Sequence, residues 1–160
     1  LAEAATAALD RLDEMRRREG RALQRELAGR VRRLTRLAGR IEALARRRPA
    51  QRRRLLQARV REIAGGLALD PARLVQEVAL FAERADVTEE LVRLRSHCAA
   101  FAAYLAGKQP AGRRLDFLLQ EMNREANTIG SKAGDAAVSQ LVVELKEQLE
   151  KMREQAQNVE

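Results

Sequence analysis

Between about residues 9 and 45, apolar side chains return at Leu27, Val31, Leu34, Ala38, Ile41 and Ala45. This alternation of fours and threes keeps one stripe of a helix apolar, with Arg filling the other faces. Pro49 interrupts that helix, because proline fits only a helix's first turn. A second Arg-rich stretch with Leu56, Val60 and Ile63 then runs to Gly65-Gly66, and the two are expected to pair as an antiparallel hairpin. Asp70-Pro71 is a helix-start signal, with Asp as cap and Pro at the first helical position. The apolar phase continues through Leu80, Val87, Leu91, Leu94, Cys98, Phe101 and Leu105. It permits one helix to about Ala106, or two if Asp86 and Glu89 form a capping box. Residues 107–112, with Pro110, read as a loop. The next helix, from near Arg113, carries a core face of Leu115, Leu118, Leu119, Met122, Ala126 and Ile129, with Gly130 as its C-cap and Gly134 as a flexible turn. Last comes a heptad seam of Val138, Val142, Leu145, Leu149, Met152, Ala156 and Val159, whose spacing leaves open whether it packs within the chain or between chains.

No strand-like alternation occurs, so the expected fold is all-α, with long antiparallel helices in a bundle or coiled-coil-like arrangement and an extended helical hairpin at the N-terminal end. The expected division is an Arg-rich hairpin over 1–66 and a helical core over 67–160, the latter ending in the heptad helix 136–160. Composition fits extended helical packing: there is no Trp, one Tyr and three Phe, whereas Leu, Val and Ala seams need little aromatic bulk. The net charge of +8 is unevenly placed, with 19 Arg against 8 acidic groups in residues 1–64 and an acidic excess beyond. A cationic arm attracts polyanions, although Arg over Lys with abundant Ala equally reflects a biased genome. A single cysteine, Cys98, excludes an intrachain disulfide framework and suits a reducing compartment. With no membrane-length apolar run and no signal-type opening, a cytoplasmic location is expected. The chain opens at Leu1 directly on helical pattern, as a portion of a longer protein would.

Two helical faces carry chemistry. Rotation by 100° per residue aligns Asp86, Glu90, Arg93 and the chain's single histidine, His97, with Glu83 at the edge. Carboxylates with an imidazole suit Mg, Mn or a similar divalent ion, or an acid–base histidine; the same spacing equally describes a solvated, salt-bridged face. Further on, one flank of the core stripe holds Asp116, Gln120, Asn123 and Asn127, and the other Arg114, Glu121 and Glu125. Asn is a poor mid-helix residue, so two on one face point to binding or to interhelical hydrogen bonds. Arg113, Arg114 and Arg124 are suited to holding phosphate. The run from Gly130 to Gly134 lacks P-loop spacing, though Ser131 and Lys132 can reach a phosphate from it. CxxC, HExxH, GxSxG and dinucleotide-binding motifs are all missing. Aromatic platforms for bases are scarce, being limited to Phe81, Phe101, Tyr104 and Phe117, mostly at apolar positions.

The run GRRLDFLLQEMNREANTIGSK from Gly112 to Lys132 closely resembles the signature of the YicC-type endoribonucleases of bacteria. The likeness continues through Val143 to Lys146 and into the ending from Met152 to Glu160, which resembles the family's C-terminus. Upstream, Asp86 to Leu91 with Arg93, Leu94, Ser96 and His97 also resembles the family pattern. It covers about residues 70–160, while 1–64 match only in helical character. The resemblance implies a metal-dependent endonuclease acting on single-stranded RNA and linked to small-RNA turnover. It also implies a homo-oligomer, hexameric by the family pattern, with other RNA-degradation proteins as further partners and no membrane. A separate mixed α/β N-terminal domain belongs to the family pattern and lies outside this sequence. On this footing Asp86, Glu90, His97, Glu121 and Glu125 are expected metal ligands, with His97, Asp116, Glu121 and Glu125 in catalysis. Arg93, Arg113, Arg114, Arg124 and Lys132 would hold the phosphodiester, and Asn123 and Asn127 would orient sugar or base. A different class of reading is a non-catalytic helical RNA-binding scaffold or adaptor, or an oligomerisation module. It would show salt-sensitive binding without cleavage.

Overall fold

The computed structural model describes residues 2–63, 71–107 and 112–156. Gly65, Gly66, Asp70, Pro110, Val159 and the side chains of Val60 and Ile63 lie outside the described part. Its six helices are α1 (Ala2–Ala45), α2 (Arg48–Ile63), α3 (Pro71–Arg84), α4 (Thr88–Ala106), α5 (Gly112–Ala133) and α6 (Ala136–Ala156), and there is no strand among the described residues.

The C-terminal part of α1 joins α4, α5 and α6 in a four-helix bundle, each helix packing on two neighbours in the cyclic order α1, α4, α5, α6. Side-chain pairs fix the directions. Arg33 meets Glu144, Arg95 meets Glu42, Arg93 meets Glu125, and Arg114 lies over Tyr104, so neighbouring helices run antiparallel. The apolar stripes named above are what the bundle buries. Leu27, Leu34, Ala38 and Ile41 face inward from α1; Leu94 and Phe101 from α4; Met122, Ala126 and Ile129 from α5; and Leu145 and Met152 from α6. Burial of each large side chain contributes about 1.5–3 kcal/mol before chain entropy is subtracted. The heptad seam on α6 is thus filled from within the chain: Val138, Val142, Leu145, Leu149, Met152 and Ala156 are all buried in the bundle.

The expected pairing of the first two helical stretches is replaced by another. α2 packs along α3, and α1 spends its stripe on α4 and α6. The reason lies in the quality of the faces, because the apolar residues of α2 are few amid Arg and Leu55 is left exposed, whereas α1 presents a continuous stripe that the bundle fills. The α2–α3 hairpin therefore stands off the bundle, tied at its base by Arg48. That guanidinium is buried, donates to the Lys132 carbonyl at 3.3 Å and lies 5.4 Å from the Phe81 ring centre. The N-terminal half of α1 extends beyond the bundle with Leu9, Leu12 and Met15 exposed.

Two local expectations are resolved by chain geometry. The stretch from Pro71 to Ala106 is two helices, broken where the Asp86 carboxylate accepts the Thr88 N–H at 2.8 Å. This is an Asx-type start for α4, while Glu89 turns to Arg93 instead of closing a capping box. Gly130 is not a cap: α5 continues through it to Ala133, and Gly134, at φ +47°, makes the left-handed exit. A Cβ on Gly130 would sit 3.2 Å from Val142 Cγ1, so its bare Cα lets α5 and α6 approach closely.

Candidate functional site

α5 has two polar flanks because its core stripe occupies only one side of the cylinder, and each flank meets a different neighbour. Toward α4 it turns Arg114, Glu121, Glu125 and Lys132; toward α6 it turns Asp116 and Asn123. The α4 side is the densely organised one. Arg93 Nε donates to Glu125 Oε1 at 2.7 Å, and its terminal nitrogens lie 3.3 Å from Glu89 Oε2 and 3.5 Å from Glu90 Oε1. Lys132 Nζ donates to Glu90 Oε1 at 2.9 Å and to the Asp86 carbonyl at 3.0 Å. Glu90 and Glu125 are both buried, at 4% and 8% exposure, and among the described residues Glu90 Oε2 has no hydrogen-bond partner. A buried carboxylate oxygen without a donor is costly and rare.

The charges of this cluster sustain one another. Burial pushes the Glu90 carboxyl upward, but the Lys132 hydrogen bond, its own backbone N–H and the Lys132 and Arg93 charges outweigh it and hold the pKa below the usual 4.5. Arg93 is held more firmly protonated than usual, chiefly by its hydrogen bond to Glu125. The Asp86 carboxyl is held below the usual 3.8 by hydrogen bonds from Thr88, with a smaller contribution from the Lys132 charge. Beneath the cluster, burial drives the Cys98 thiol up to about 11, and its Sγ lies 3.6 Å from Met122 Sδ. Such a thiol is packing, not a nucleophile.

The remaining expected site residues fall in three places. His97, one turn beyond Arg93, is half-buried and makes no hydrogen bond among the described residues; the antiparallel register sets its turn opposite that of Glu121. Glu121 itself pairs with Arg124 at 2.7 Å. At the far end of the same flank the Arg114 guanidinium lies 5.3 Å from the Tyr104 ring centre. Asp116 is not with the other carboxylates: it accepts from Gln120 at 2.7 Å and faces Arg153 of α6 at 4.0 Å. Asn123 and Asn127 make no hydrogen bond among the described residues, and Arg113 is exposed without a partner there. Glu89, whose ion pair completes the Arg93 contacts, was legible only as an i to i+4 match to Arg93.

For a metal, the fit is one of donor chemistry. Two low-exposure carboxylates and a half-buried imidazole supply hard oxygen and nitrogen, and Glu90 Oε2 is a buried acceptor without a donor among the described residues. Arg93 and Lys132 hold the neighbouring oxygens, and among the described residues no three His, Cys, Asp or Glu groups converge as a ligand set. Asp86 has given one oxygen to the cap of α4.

Comparison with known proteins bears on this geometry. The family profile described as endoribonuclease YicC-like, C-terminal, matches residues 41–160. A protein of Clostridioides difficile (strain 630) named probable endoribonuclease YicC is 42% identical over all of this chain and 55% of its own length. One of Haemophilus influenzae with the same name is 48% identical over 69% of this chain and 37% of its own length. The chain therefore spans about half the length, or less, of these relatives. No helix among the described residues is long and apolar enough to cross a membrane.

Proposed function

The chain belongs to the YicC-like endoribonuclease family, and from that premise we propose that its α4–α5 flank is the cleavage site of a metal-dependent endoribonuclease acting on single-stranded RNA. The supporting observation is the Glu90–Lys132–Arg93–Glu125 cluster: two buried carboxylates from facing helices, bridged by two cations and keeping one oxygen unpaired. Glu90 and Glu125, with His97 and Glu121 farther along the same two facing helices, would supply the donors for a manganese or magnesium ion. Such an ion supplies charge for the scissile phosphate and lowers the pKa of bound water or a ribose hydroxyl.

The chain's own residues do the rest. Arg93 and Lys132 in the cluster, with Arg124 on the outer face and Arg114 farther along the same flank, would bind phosphate oxygens, which neutralises the backbone as it enters. His97, which has no hydrogen-bond partner among the described residues, would move a proton at the reacting oxygen. Asn123 and Asn127, with open amides on the neighbouring flank, orient sugar or base. Small-RNA turnover as the setting, and assembly as a homohexamer, belong to the same proposal. The test is cleavage of a labelled single-stranded RNA with manganese or with a chelator. Glu125→Gln and His97→Asn are each expected to abolish metal-stimulated cleavage while RNA binding persists, and normal cleavage by both would refute the site.

A second reading, a non-catalytic RNA-binding scaffold, is favoured by one observation: Arg93 and Lys132 already pair with Glu90 and Glu125, and among the described residues no three His, Cys, Asp or Glu groups converge as a ligand set. It predicts salt-sensitive RNA binding with no cleavage at any manganese concentration.

A further inference from the structure

We propose that Phe117 stacks on a base of single-stranded RNA, with Arg113 and Arg124 contacting the phosphates on either side of it. The proposal rests on the RNA reading above and names the residue that grips the base. The observation behind it is an exception on α5. Leu115, Leu118, Leu119, Met122, Ala126 and Ile129 are all buried, whereas Phe117 is 58% exposed in mid-helix. The core stripe read from the sequence already leaves it out, and in the fold it stays uncovered.

Its neighbours define the occupant. Helical rotation puts Arg113, Gln120 and Arg124 in the same outward stripe, four before, three after and seven after Phe117. At 1.5 Å rise per residue the two Arg stand about 6 Å and about 10 Å along the axis from the ring. Arg113 has no partner among the described residues, and Arg124, with its side chain 76% exposed, shares only one nitrogen with Glu121. A planar apolar face between two accessible guanidinium groups complements a base with its flanking phosphates. A second copy of the chain fits less well, because a two-fold contact through this stripe would set Arg against Arg. Glu121 lies one turn along α5 from Phe117, so a stacked base would sit at the edge of the proposed cleavage site.

The chain contains no tryptophan, so Phe117→Trp creates a single fluorescent reporter at the proposed contact. Titration of that variant with short oligoadenylate and oligouridylate is expected to quench its emission, more strongly for adenylate with its larger ring. Phe117→Ala and Phe117→Leu are each expected to weaken oligoadenylate binding about tenfold. An abasic ribose-phosphate oligomer should bind these variants and the parent alike. Leu matters because it keeps the apolar bulk and loses the π-face. Three results would overturn the proposal: a Leu variant that binds as the parent does, Trp emission that stays constant while RNA binds, or a change in assembled mass for Phe117→Ala, which would assign the patch to another copy. A parent protein that binds no RNA would overturn the cleavage-site reading too, whereas RNA binding indifferent to Phe117 overturns this proposal alone.

Discussion

The two flanks of α5 are both polar, one ionic and the other mostly amide, and they end in opposite states. Toward α4, Glu125 and Lys132 are locked into Arg93 and Glu90, and the carboxylates are buried. Toward α6, Asp116 reaches Arg153 only at 4.0 Å, and Asn123 with Asn127 are left open. The difference follows from what each neighbour offers. α4 presents Glu90, Arg93 and His97 along the facing line, whereas α6 approaches closely at Gly130 and brings Val142 there. A polar flank becomes a network only when the opposite helix carries complementary charge at matching height.

The largest test of this contrast is Lys132→Met, which takes from Glu90 its nearest cation. Breaking one side of a buried pair leaves an uncompensated charge, and the expected loss is about 2–3 kcal/mol, at the low end because Lys132 is itself a third exposed. The urea midpoint measures it, and adding Glu90→Leu should recover most of the loss. If the single variant unfolds like the parent, the network is not what holds that flank.

Next comes Gly134→Ala, at the turn that carries α5 into α6. A side chain at φ +47° is strained, and its Cβ would lie 3.0 Å from Arg48 Nη2, so about 1–2 kcal/mol of stability should be lost. Thermal melting reads this directly.

Acid separates the flanks further. The Glu90 pKa is depressed in the fold, so its contribution is present above the unfolded value and is lost as pH falls from about 4.5 through the folded value. Melting temperature is expected to fall across that range, and less so in the Glu90→Leu/Lys132→Met protein, while Asn123 and Asn127 do not titrate. An identical acid profile for both proteins would mean the loss arises elsewhere. Smallest is the joint Asn123→Ala and Asn127→Ala change. It should leave stability within about 0.5 kcal/mol, since neither amide is bonded among the described residues, and lower RNA affinity if the amides read sugar or base.

Much of the core was legible. The stripes on α1, α5 and α6 are strictly helical in period, and every apolar position on the fourth stripe from Val87 to Phe101 is buried. The partner of each stripe was not, because a four-three spacing states which face is apolar and says nothing about which other face will cover it. Hence α1 was assigned to α2 and instead packs on α4 and α6, while the heptad seam of α6, open between two readings, closes within the chain. The site shows the same division. Glu90, Arg93, Glu121, Glu125 and Lys132 stood out as charged groups on two helix faces, but Asp116 shares their residue type and faces α6. The cation that links Glu90 to α5 came from a residue read only as a phosphate contact.

By itself the sequence determined that this protein is helical, where its apolar faces lie, and, through the run from Gly112 to Lys132, its family. Those are properties of neighbouring positions along one helix, set by 3.6-residue periodicity and local order. The tertiary structure alone decided that α4 and α5 meet at matching height, that Glu90 is left with one oxygen unpaired among the described residues, and that no neighbouring helix covers Phe117. Contacts between distant segments depend on register and on competition for buried surface, and neither is written in the spacing of any single helix.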